Sequence, residues 1–183
     1  MKEDSTRVIL GSLVGGIILF GWSAFSWTVL PWHNATFEKF TQEYVVEVVL
    51  ASNAPKKGIY LVPAPHKGTK EEQQKAHEKM EKGSFAFVVM NPKGWGPMLP
   101  HLLIGLLTQI LGAGLVTGLL RMTAKLGYWE KVGFTLVFAV AAGVVCHLPN
   151  WNWWGFSEGF TLLAFADLLI GWFLAGLAIS KIA

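Results

Sequence analysis

Residues 160–182 read FTLLAFADLLIGWFLAGLAISKI, and this stretch decides the fold. It has one ionisable group in its middle, Asp167, and one at its end, Lys181. At about 1.5 Å per residue, such a helix outreaches a bilayer core of roughly 30 Å. Ala164, Asp167, Gly171, Ala175 and Ala178 recur at steps of three or four, so one narrow face carries small residues and a carboxylate. Membrane helices place small residues where another helix comes close. A carboxylate turned toward lipid is costly, so Asp167 is expected to face the bundle. Its expected partners there are Thr108, Gln109, Thr117 or His147, and an intramembrane acid is also a functional candidate in its own right.

Working outward, three more apolar runs appear. The first spans Val8 to Leu30, with Gly11 and Gly15 forming a GxxxG and Pro31 as the stop. The second covers about 98–120 and is lined by Gly105, Gly112, Gly114 and Gly118, with Gln109 as its inner polar residue. The third covers about 132–148, where Ala139, Gly143 and His147 step by four. The composition fits: 52% of the 183 residues are hydrophobic, 15% are charged against about 25% in soluble proteins, and mean hydropathy is +0.44. Nine Trp suit a chain with two membrane interfaces. The start, MKEDSTR, is acidic as well as basic and reads as the tip of an uncleaved signal anchor.

The chain therefore divides into 1–32, a tip and first span; 33–96, an extramembrane segment; and 97–183, a three-span region. In the segment, Thr36 to Ser52 is read as a helix capped by Thr36, although YVVEVVL at 44–50 has strand-like β-branching. Ile59 to Val62 and Ser84 to Met90 read as two strands paired antiparallel. The Lys- and Glu-rich stretch from Lys67 to Lys82 connects them as a solvated helix or loop. PNWNWWGFSEG at 149–159 reads as a Trp-rich interfacial turn. The fold expected is an all-α membrane bundle of four spans with a small α+β insertion after the first.

Arg121, Lys125 and Lys131 sit between spans two and three, whereas the loop after span three has no Lys or Arg. The positive-inside rule then puts both termini in the cytoplasm of a bacterial inner membrane and 33–96 outside. With that topology His33, His101 and His147 fall at the outer surface on three different spans, with Asp167 roughly two turns below the start of span four. Three histidines near a carboxylate are a candidate site for a transition metal or haem, or for proton transfer. The competing reading is an amphipathic ring at an interface, where such side chains gather anyway.

Asn34-Ala35-Thr36 matches a glycosylation acceptor, and the one cysteine, Cys146, excludes an intrachain disulfide and any CxxC motif. No P-loop, GxGxxG, HExxH or haem-attachment motif is present, and no basic patch with interleaved aromatics suits nucleic acid. The expected role is that of a structural or accessory subunit, packing through its small-residue faces on itself or on other membrane subunits. The alternatives are a redox or metal-handling protein using the outer histidines, and a small oligomeric transporter or channel with Asp167 as its coupling group.

Overall fold

A computed structural model describes residues 2–64, 68–123 and 125–183 of the chain. It is mostly helical: α1 (Lys2–Thr28), α2 (Glu43–Asn53), β1 (Gly58–Val62), α3 (Lys70–Lys82), β2 (Ala86–Met90), α4 (Met98–Met122), α5 (Tyr128–Trp154) and α6 (Glu158–Ile182). Four helices, α1 and α4 to α6, are long and apolar enough to cross a membrane. At 25–27 residues each they measure about 38–40 Å against a hydrocarbon core of about 30 Å. The chain has the build of a multi-pass membrane protein with a two-stranded sheet between its first two long helices.

The chain forms two compact units. The first holds Met1–Phe37, Pro97–Pro149 and Ser157–Ala183. Within it α1 packs along α4 and α6. Glycine permits this closeness. A Cβ on Gly16 would stand 2.5 Å from the Ile110 Cα, one on Gly11 2.5 Å from the Thr117 side chain, and one on Gly15 2.5 Å from Ile179. α5 joins through side chains on α6: Gly143 receives Phe165, Gly176 receives Thr135, Phe138 meets Trp172 edge-on, and the Tyr128 hydroxyl donates to the Leu177 carbonyl at 3.0 Å. Leu19, Val116, Leu120, Ala139, Ala175 and Ile179 make the dry centre, while Leu107, Leu111, Leu115, Val137, Val145 and Leu162 are exposed, as lipid-facing residues are.

The small residues singled out in the sequence divide accordingly. Ala139, Gly171 and Ala175 are buried, and Gly114 stands where a Cβ would meet Ser12 at 2.6 Å. Gly105 and Gly112 have only ordinary contacts, and a Cβ on Gly118 would meet nothing. Ala164 and Ala178 are half-buried.

The second unit holds Glu38–Gly96 and Asn150–Phe156. β1 and β2 pair antiparallel, with Gly58 opposite Met90 and Val62 opposite Ala86. The charged connection is helical from Lys70, because Thr69 and Glu72 form a reciprocal capping box that satisfies two backbone donors. Lys67, at the start of that stretch, lies outside the described residues.

Two expectations need correction. Thr36 caps no α-helix. It ends a 3₁₀ turn over Asn34–Thr36, Phe37 is extended, and α2 starts only at Glu43. The 149–159 segment is not all turn either. α5 carries Pro149 inside it and runs on to Trp154, so Trp151, Trp153 and Trp154 are helical. Proline costs one helical hydrogen bond, but the Phe87 ring packs at a tilt on Trp154 and edge-on against Phe156, with centroids 5.0 and 6.4 Å away, and holds the extra turn.

Candidate functional site

α1 stops at Thr28, three residues before Pro31, and the chain doubles back. The Thr36 hydroxyl donates to the His33 carbonyl at 2.8 Å and closes the 3₁₀ turn. This return drives the His33 ring into the bundle, where the residue is 3% exposed. Its Nε2 lies 2.9 Å from Oγ of Ser26, which is wholly buried, and 3.7 Å from Oδ2 of Asp167 on α6. Trp32 Nε1 donates to Ser26 Oγ at 3.0 Å. The Trp27 ring stacks on the imidazole at 3.8 Å and 10°, and Trp32 meets its edge at 5.9 Å.

Trp22 fixes the register of the two helices. Its Nε1 donates to the Asp167 carbonyl at 3.1 Å, and its ring lies where a Cβ on Gly171 would come within 3.0 Å. The glycine of the small-residue face thus makes room for an indole rather than for a second helix backbone.

The hydrogen bonding defines what this cluster can do. Ser26 accepts from Trp32, which leaves its own proton and a second lone pair for His33 Nε2. Ser26 and Asp167 both face that same nitrogen. A nucleophilic relay needs one ring nitrogen for the hydroxyl and the other for the carboxylate, so this is not a hydrolytic triad. Buried polar groups that satisfy one another specify a unique packing, and a histidine beside a carboxylate is also a place where a proton can reside. The other carboxylate oxygen, Asp167 Oδ1, is buried with no hydrogen-bond partner among the described residues.

The three outer histidines do not come together. His101 is exposed on the first turn of α4, and His147 is half-buried on α5. Among the described residues no three His, Cys, Asp or Glu side chains are grouped to hold a metal ion, whereas a bound transition metal takes three or four protein ligands. Of the partners expected for Asp167, Thr108 bonds the Gly105 carbonyl and Thr117 the Ala113 carbonyl, each within its own helix, and Gln109 is half-buried on α4. The residues the sequence reading missed are Ser26 and the stacked Trp27. Only the stop at Pro31 hinted that the chain returns there.

No known protein family, curated protein or solved structure matches the chain.

Proposed function

We propose that this chain is a non-catalytic accessory subunit of a larger complex in a bacterial inner membrane. In this reading both termini and the Arg121 loop lie in the cytoplasm and the β-containing unit lies outside, as the positive-inside rule favours. One observation carries it: an apolar helix face outside the four long helices that this chain leaves uncovered. On α2, Tyr44, Val45, Val48 and Val49 follow one another around a single face, each half to three-quarters exposed, while Glu43 and Glu47 occupy the opposite side. Contiguous exposed apolar residues of this kind mark interaction surfaces. The closed site agrees, since Ser26 and His33 are out of reach of a substrate.

The test is a chromosomally tagged copy, extracted in mild detergent and run on a native gel. The reading expects migration as an assembly well above the 20.1 kDa chain, and collapse toward the monomer with Val48→Glu. A monomer in both cases would overturn it.

The unpartnered Asp167 Oδ1 favours a second reading, a small oligomeric transporter with Asp167 as its coupling group. Proteoliposomes given a pH gradient decide it. If wild-type and Asp167→Asn vesicles hold the gradient equally long, this second reading is lost.

A further inference from the structure

We infer that the end of the bundle where α1 begins and α4 finishes binds the headgroup of an anionic glycerophospholipid such as phosphatidylglycerol. This rests on the four-span reading of the fold and is independent of the subunit role. A groove of about 520 Å³ opens there, lined by Asp4, Ser5, Val8, Ile9, Arg121 and Met122. Its polar part is Asp4, Ser5 and Arg121. Its apolar part is Val8, Ile9 and Met122, with Ile9 and Met122 60% and 83% exposed on the outer faces of the long helices. Along α1 the polar Asp4 and Ser5 precede the apolar Val8 and Ile9, which is the order of a phospholipid, a charged head above acyl chains, and no soluble anion needs the apolar half.

The guanidinium at the top of the groove is held in place. Arg121 Nη1 donates to the Ala183 carbonyl at 3.3 Å, and Arg7 Nη1 reaches the Ile182 carbonyl at 3.5 Å. The main-chain oxygens of Ile182 and Ala183, at and just past the end of α6, thus gather two arginines at one corner. The other arm of Arg121 pairs with the Asp4 carboxylate. The Arg121 side chain is 24% exposed and that of Asp4 58%, so water screens the pair from the Asp4 side and weakens it. A phosphate can take the carboxylate's place on the same arm, because the planar fork of arginine matches either anion through two parallel bonds. Lys125, Lys131 and Lys181 lie close in sequence to the same helix ends and add positive potential there.

The experiment is native mass spectrometry of the full chain in a neutral detergent. It is offered phosphatidylglycerol or phosphatidylcholine with identical acyl chains, and in a third arm inorganic phosphate as competitor. Retention of phosphatidylglycerol over phosphatidylcholine is expected, with about tenfold weaker binding in Arg121→Gln, the loss of one charge-assisted contact. Asp4→Asn should bind phosphatidylglycerol at least as tightly as wild type, since it removes the competing carboxylate, and it tests the site even where Arg121→Gln fails to fold. Equal retention of the two lipids would overturn the inference, as would weaker binding by Asp4→Asn. Displacement of the lipid by millimolar phosphate would show a plain anion site and overturn the lipid assignment.

Discussion

His33 Nε2 is the point at which the end of α1 is tied to α6. It meets Ser26 at 2.9 Å and Asp167 at 3.7 Å inside an aromatic wall of Trp27 and Trp32. Removing His33 strands the buried Ser26 hydroxyl and the Asp167 carboxylate, and leaving a buried polar group without its partner costs about 1–3 kcal/mol. We expect His33→Leu to lower stability in detergent by about 1–3 kcal/mol. The double variant His33→Leu/Asp167→Leu should cost less than the two single changes together, with a coupling of about 1–2 kcal/mol. Denaturant unfolding of the four proteins measures this, and simple additivity would refute the pairing. Asp167 could be read from the sequence because an acid inside an apolar run is rare and must find a partner. The sequence brings His33 near it only as one of three outer histidines, and it does not bring Ser26 there. Ser26 and His33 are brought together by a chain reversal after Thr28, and local pattern does not encode a reversal of that kind.

At the scale of elements, α1 meets the α4 backbone directly at Gly16, beside the side-chain contacts of Gly11 and Gly15. A methyl group on Gly16 would press against the Ile110 backbone, which cannot swing aside, whereas one on Gly118 would enter open space. Gly16→Ala should therefore separate α1 from α4 and cost about 1–3 kcal/mol, while Gly118→Ala should stay within about 0.5 kcal/mol. Thermal unfolding of the two variants in one detergent makes the comparison, and equal midpoints would contradict the packing. The long helices were legible because some twenty apolar residues between charged ends leave little other choice. Which glycines do the packing was less so. Gly11 and Gly15 sit on a recognisable GxxxG, but Gly16 is one residue off that stripe, and Gly176 follows directly after Ala175 of another. The α5 extension past Pro149 was hidden for a similar reason. The ring that holds it belongs to Phe87, more than sixty residues away in sequence.

For the whole molecule, the topology proposed above has four crossings that return the chain to the side on which it starts. In that proposal the insertion and the loop after α4 lie on opposite faces of the bilayer. The positive charges around Arg121, Lys125 and Lys131 favour the cytoplasm for that loop. The proposed orientation then presents the exposed valine face of α2 outside, toward the proposed partner. The decisive measurement is cysteine labelling with a membrane-impermeant maleimide in intact cells. In a Cys146→Ser background, one new cysteine replaces Ser52 on α2 and another replaces Lys125 in the loop after α4. The account predicts that Ser52→Cys is labelled in intact cells and that Lys125→Cys is labelled only after the membrane is opened. Labelling of both in intact cells, or of Lys125→Cys alone, would contradict the four-span topology or its orientation.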